Sequence, residues 1–195
     1  MNGREGEPLP ASVIKILEGT LRAIGSRGAR RLSMSEIGEV SGVSRGTLYR
    51  YFSTKEELLE AVAEFVSINY ENGVRAAAAE NTDPLETLRA VLRFSAHFSE
   101  ERTPERIFEI EPAFYLDFFR SHFKRHTSAV RDALARTFDH FEGILGKPID
   151  RDGVAQAIVR MQLSTVIVPA DGQWSNIWDG APELLKRWIT ASAHH

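Results

Sequence analysis

The 195-residue sequence predicts an all-α protein, with a small N-terminal helix-turn-helix head joined by a long helix to a larger helical body. Three observations carry that expectation. Helix-start signals crowd into one stretch, SMSEIGEVSGVSRGTLYRYFSTKEE, from Ser33 to Glu57. Apolar residues recur at the three-to-four spacing of amphipathic helices. No alternating run is long enough for a strand. Composition suits a globular protein, with 43% hydrophobic and 26% charged residues. The absence of cysteine excludes disulfides and thiolate metal sites and fits a reducing compartment. The opening MNGREGEPLP lacks the apolar core of a signal peptide. Val166-Ile167-Val168 stops at Pro169, far short of the ~18 apolar residues of a membrane span. A cytoplasmic protein with no membrane partner is expected.

Residues 1–9 read as a polar arm. Pro10 suits the first turn of a helix, followed by the stripe Val13, Ile14, Leu17, Leu21 and Ile24. Gly25 and Gly28 are expected to end it. Ser33-x-x-Glu36 forms a capping box, in which each side chain meets a backbone N–H that the helix leaves unpaired. Gly42 can take the positive φ that closes this second helix, and Ser44 caps the third. Ser53-x-x-Glu56 and Thr54-x-x-Glu57 are overlapping boxes for a fourth. Two short helices around a tight turn make a helix-turn-helix, whose second helix enters the DNA major groove. Met34, Ile37, Val40, Val43, Leu48 and Phe52 should complete a core with the first helix. Gly38 is expected where two helices cross closely. The predicted domains are 10–55, for DNA binding, and 56–195, for effector binding and dimerisation.

The net charge of −3 conceals a division. Between Thr20 and Lys55, Arg22, Arg27, Arg30, Arg31, Arg45, Arg50 and Lys55 face only Glu36 and Glu39. Residues 61–195 carry fifteen basic against nineteen acidic side chains. A basic head on an acidic body is what phosphate attraction at one end requires. With Leu48 turned into the core, the other faces of its helix are left for DNA. An arginine at the helix start can fork onto guanine O6 and N7, while hydroxyls such as those of Thr47 and Tyr49 suit phosphate. Lys55, in the first turn of the next helix, would meet a phosphate beside free backbone N–H groups. The expected DNA-contacting set is Ser33, Ser35, Ser44, Arg45, Gly46, Thr47, Tyr49, Arg50 and Lys55.

The run from Ile37 to Leu58, with Gly42-Val43-Ser44, Gly46-Thr47-Leu48-Tyr49, Tyr51-Phe52 and Lys55-Glu56-Glu57-Leu58, resembles the signature of TetR-family transcriptional regulators. The resemblance covers residues 12 to about 60; beyond that only size and helicity match. It implies a homodimer, usually a repressor, released from a palindromic operator when a small ligand binds the C-terminal domain. It also implies phosphate contacts at Thr47, Tyr49 and Lys55, with variable base contacts at Arg45, Gly46 and Arg50. Gly38 departs from the alanine usual there, and Arg30-Arg31 is not demanded by the pattern.

Beyond Lys55 a helix should run to about Ala79, linking head and body. Asp83-Pro84 starts another, reaching about Glu101. Pro104 opens a short helix, and Pro112 kinks or restarts it. Residues 113–144 read as one or two helices, with a possible break near His126–Ser128. Asp150 or Asp152 caps a helix to Val168, and a last helix spans Ala181 to about Ala193. Nine of the eleven phenylalanines lie between Phe94 and Phe141. They fill a core or line an apolar pocket. The predicted pocket comprises Phe94, His97, Phe98, Phe108, Phe114, Tyr115, Phe118 and His122, with an apolar or aromatic effector. Arg120 and Glu109 are further polar handles.

His122 and His126, four apart, have metal-ligand spacing, with His97, Glu109 or Glu111 as a third ligand. A metal-dependent enzyme is therefore the alternative from another class, and a constitutive DNA-binding protein without effector is a third. No metal, cofactor or catalytic residue is assigned. Nucleophile elbow, phosphate loop and H-E-x-x-H are all absent, so no enzyme is expected. The final two helices carry more apolar surface than a terminal hairpin needs. Ile158, Met161, Leu163, Leu184, Leu185 and Trp188 are assigned to a dimer interface formed as a four-helix arrangement.

Overall fold

Local signals close nearly every helix of the N-terminal region. The computed structural model describes residues 9–102, 110, 112–167, 180, 183 and 187. Among these are eight helices and no strand. α1 (Ala11–Arg27) begins after Pro10, whose carbonyl accepts from the Val13 and Ile14 N–H groups at 2.9 and 3.1 Å. Gly28 ends it with φ +81°, whereas Gly25 lies buried inside the helix and ends nothing. α2 (Met34–Ser41) carries the full capping box: the Glu36 N–H donates to Ser33 Oγ, and the Ser33 N–H donates to Glu36 Oε2 at 2.9 Å. Gly42, at φ +65°, donates to Glu39 O while Val43 donates back to Gly38 O, the paired bonds of a Schellman ending. α3 (Arg45–Tyr51) starts on Ser44, whose Oγ accepts the Thr47 N–H at 3.1 Å. α4 (Lys55–Ala79) follows Thr54, which accepts the Glu57 N–H, while Glu57 reaches past it to the Ser53 N–H. The two overlapping boxes therefore merge into one cap.

One compact unit spans residues 1–66 and 106–116. Its core gathers Val13, Ile16, Leu17, Ile24, Ile37, Leu48, Phe52, Leu58 and Val62 from α1–α4. Met34 and Val43 pack at its margin, but Val40 is 38% exposed and belongs to the surface. The close helix crossing is at Gly19. A Cβ there would overlap Ser41, whose Oγ reaches Ile16 O. Gly38, expected in that role, has ordinary room: an added Cβ would sit 3.5 Å from Val43 O.

The second unit spans residues 67–105 and 117–195. It takes the later part of α4, and then α5 (Pro84–Arg102), capped by Asp83 Oδ1 on the Leu85 and Glu86 N–H groups. α6 (Pro112–Ala133) starts at Pro112 and runs unbroken through His126–Ser128; the turn comes at Leu134. α7 (Ala135–Leu145) ends on Gly146 at φ +65°. α8 (Arg151–Ile167) is capped by Asp150, which accepts the Gly153 N–H. α5 packs against α7 and α8. The core holds Val74, Leu88, Val91, Leu92, Val130, Leu134, Phe138, Phe141, Val154 and Ile158. Arg151 bridges Glu142 and Asp139 at 2.6 Å each, tying α8 to α7. That guanidinium, with the Ile149 N–H, holds the Glu142 carboxyl down at about 2. Among the described residues no helix is long and apolar enough to cross a membrane.

Candidate nucleic-acid interface and aromatic cluster

On α3, burial separates the faces. Leu48 is fully buried, while Arg45, Gly46, Tyr49 and Arg50 are exposed and Thr47 is half-buried. Ser33, Ser35 and Ser44 are exposed too, but Ser33 and Ser44 already use their oxygens as caps. The Ser44 and Thr47 hydroxyls lie 2.9 Å apart. Arg45 stands over the Tyr49 ring at 5.3 Å and Arg50 over the Tyr51 ring at 4.8 Å. A ring face orients a guanidinium without neutralising it, so both charges remain available to a polyanion. The arrangement suits the major groove, with forked donors at two points of one short helix.

Tyr51 is a residue that sequence reasoning missed. Its hydroxyl accepts from Ser12 Oγ at 3.1 Å and from Arg50 Nη2 at 3.2 Å. Those bonds, Ser12 first, hold its pKa below the ordinary phenol value. Through Tyr51, α1 braces an arginine of α3. The only hint in the sequence was an aromatic beside Arg50. Lys55 is differently placed from the simple expectation. Its Nζ donates to the Ala29 and Arg30 carbonyls, at 3.2 Å each. An ammonium has three donors, so one remains for a phosphate. Arg27 is paired with Glu36 at 3.0 Å, and the Ser33 N–H together with this pair holds the Glu36 carboxyl below its usual value. The positive field of the head therefore rests on fewer side chains than counting suggests.

The predicted pocket residues separate. Phe114 and Tyr115 pack edge-to-face at 5.5 Å and lie against the core of the first unit. Phe94, Phe98, Phe118 and His122 belong to the second unit, where they join a chain of rings through two residues not predicted there. Tyr70 contacts Phe98 at 5.3 Å and His126 at 4.6 Å; Phe118 stacks on His122 at 4.6 Å. Tyr70 is fully buried, with its hydroxyl 3.3 Å from Ser95 Oγ, and burial pushes its pKa up to about 12. His126 Nε2 lies 3.2 Å from Ser67 Oγ, and burial, with His122 and Arg125 nearby, lowers its pKa to about 4. Tyr70 was findable from the i, i+4 series Val62, Val66, Tyr70, Val74 and Ala78. His97 is exposed, and Phe108, Glu109 and Glu111 lie outside the described residues. No group of three metal-ligating side chains occurs among the described residues, and the His122 ring nitrogen Nδ1 sits 2.9 Å from Phe118 O.

Of the residues assigned to a dimer interface, Ile158 is fully buried within its own unit, and Met161 and Leu163 are partly exposed. Leu184, Leu185 and Trp188 lie outside the described residues.

Residues 16–62 match the model of bacterial regulatory proteins, tetR family. The regulator TtgR of Pseudomonas putida is 34% identical over 79 residues, which are 40% of this chain and 38% of TtgR. The chain thus spans about two fifths of the length of that relative. The solved structure of FadR, a fatty acid degradation regulator of Bacillus halodurans, superposes with TM-score 0.70 at 16% identity, covering 92% of this chain and 96% of FadR. AibR, solved with isovaleryl coenzyme A and operator DNA, superposes with TM-score 0.62 at 23% identity, covering 89% of this chain and 97% of AibR. The fold therefore agrees over most of the chain, while sequence likeness is concentrated in the head. TtgR is an HTH-type transcriptional regulator and FadR a fatty acid degradation regulator. The helix-turn-helix with its ring-held arginines and the matched segment agree: residues 16–62 carry the N-terminal segment of bacterial regulatory proteins of the tetR family, and the chain as a whole shares the helical fold of FadR and AibR.

Proposed function

We propose that the chain is a DNA-binding repressor that acts as a homodimer on a palindromic operator and is released by a small, largely apolar effector. The observation that carries the reading is α3, with Leu48 buried and Arg45, Tyr49 and Arg50 presented outward. Residues 10–55 are the DNA-binding domain and residues 56–195 the effector-binding and dimerisation domain. Arg45 reads a base edge; Thr47, Tyr49 and the remaining donor of Lys55 take phosphates. The two copies of α3 in a dimer would enter major grooves about 34–36 Å apart or somewhat more. Dimerisation through the last two helices that the sequence predicts, the second of them outside the described residues, supplies the second copy.

The effector half of the proposal rests on the rings around Tyr70 and on the AibR structure, which holds an acyl coenzyme A as well as operator DNA. An effector releases DNA only if it binds the non-binding conformer more tightly than the binding one. Selection of operator sequences from a random pool, followed by binding assays at several salt concentrations, tests the reading. Arg45→Ala should relax preference at one position per half-site, by ~1–3 kcal/mol. Lys55→Ala should weaken all sequences alike and flatten the salt dependence by about one phosphate contact. Parent-like behaviour of both variants would overturn the assignment.

A further inference from the structure

A groove of about 450 Å³ lies between α4 and α6, wholly within the second unit. Its walls carry three cations, Arg75, Lys124 and Arg125, against two carboxylates, Glu71 and Asp132. Glu71, with a side chain only 13% exposed, forms ion pairs with Arg75 at 3.2 Å and with Arg125. One carboxylate thus fixes two guanidiniums, one from each helix. Asp132 is engaged at the rim by Arg131, at 3.0 Å, which also bonds Asp152. Three cations against two carboxylates leave the lining with one surplus positive charge, and Lys124 has no ion-pair partner among the described residues. Arg75 uses two of its five N–H donors, on Glu71 and Asn72. Ser121 and Ser128 line the same groove.

The groove also adjoins the aromatic cluster. Tyr70 and Glu71 are consecutive on α4, as Arg125 and His126 are on α6. The Tyr70–His126 ring contact and the Glu71–Arg125 ion pair are therefore neighbouring rungs between the same two helices.

We infer that this groove is an anion site taking the phosphoryl or carboxylate group of a small metabolite. Oriented arginines with surplus positive charge are the recognition chemistry of such groups. The anion is either the head group of the apolar effector, in which case the inference rests on the effector reading above, or a free anion. Two-dimensional NMR of the full chain, titrated with pyrophosphate, decyl phosphate and decanol, distinguishes these sources and separates the groove from the basic head. Decyl phosphate should shift the backbone amides of Arg75, Ser121, Lys124 and Ser128, with affinity falling as salt rises. Lys124→Gln, at an exposed position, removes one charge-assisted hydrogen bond and should weaken that binding about tenfold. Binding by decyl phosphate alone assigns a head-group site; binding by pyrophosphate as well assigns a free-anion site. Silence from both anions, decanol binding as tightly as decyl phosphate, or unchanged binding in Lys124→Gln would overturn the inference. None of these readouts involves DNA, so a failed operator assay and a failed anion titration remain distinct results.

Discussion

The head and the body handle polar groups in opposite ways. Among the described residues the first unit buries only Thr20 and Ser41 as polar side chains, and each bonds the Ile16 carbonyl. Its charged groups and its other hydroxyls stand nearer the surface, on caps and over rings. The second unit buries Ser67, Thr87, Ser95, His126, Thr127, Thr137 and Gln162 inside a core that also holds Tyr70. A dry core specifies one packing and presents its surface rigidly. A core that holds polar groups, among them the unpartnered Thr127 Oγ1, can offer them to something that enters it, at the cost of desolvating them when it is empty. The contrast suits the proposed division of labour between DNA reading and effector binding.

The largest effect that would sharpen this contrast is at Leu48. Truncation in Leu48→Ala should cost ~2–5 kcal/mol, since the side chain is fully buried in the core of the head. Denaturant titration should show the loss, and operator binding should fall with it. A cost under about 1 kcal/mol, well below the usual range for a core leucine, would mean that the head core adapts as readily as the body is argued to do.

Next comes the pH dependence of the body. The His126 imidazole is held to about 4 by burial, whereas an unfolded histidine titrates near 6.5. The unfolded chain therefore binds the extra proton between those values. Stability from this group is complete above about pH 6.5 and falls by as much as ~3 kcal/mol as pH drops toward 4, with no further loss below. His126→Phe should flatten that slope. A slope unchanged by the substitution would place the acid sensitivity elsewhere.

Two glycines compare the units directly. A Cβ at Gly19 would overlap Ser41, and one at Gly73 would overlap the Phe94 ring. Gly19→Ala must push two helix backbones apart, so ~1–3 kcal/mol of destabilisation is expected by thermal melting. Gly73→Ala displaces only a half-buried side chain, and should cost less while changing effector affinity. Equal costs would break the proposed difference in adaptability. The smallest effect has the opposite sign: Gly38→Ala, with room for its methyl, should stabilise the head by up to ~1 kcal/mol.

These pairs also show what a linear sequence conveys. Ser33, Gly42, Ser44 and Asp83 were readable because a cap depends on neighbours within about four residues. Gly19 was not, since its significance depends on which face of α1 meets Ser41, a contact between residues far apart in the chain. Val40 follows the spacing of its helix yet stands 38% exposed, because periodicity alone does not say which residues at the edge of a stripe are covered. The phenylalanine density signalled a body rich in aromatics but could not divide Phe114 from Phe118. α6 contributes residues to both units, and helical periodicity does not report that change of surroundings.

Lys55 has a consequence for association that its hydrogen bonds make visible. A free lysine side chain holds roughly 2 kcal/mol of rotational freedom, which an incoming phosphate would have to remove. Here the bonds to the Ala29 and Arg30 carbonyls restrict the chain before any DNA arrives. That freedom is surrendered during folding, so in the proposed phosphate contact the ammonium would already be held in place. Replacing it with an equally charged but unanchored side chain would preserve the field of the head and still slow the commitment from loose encounter to a seated complex.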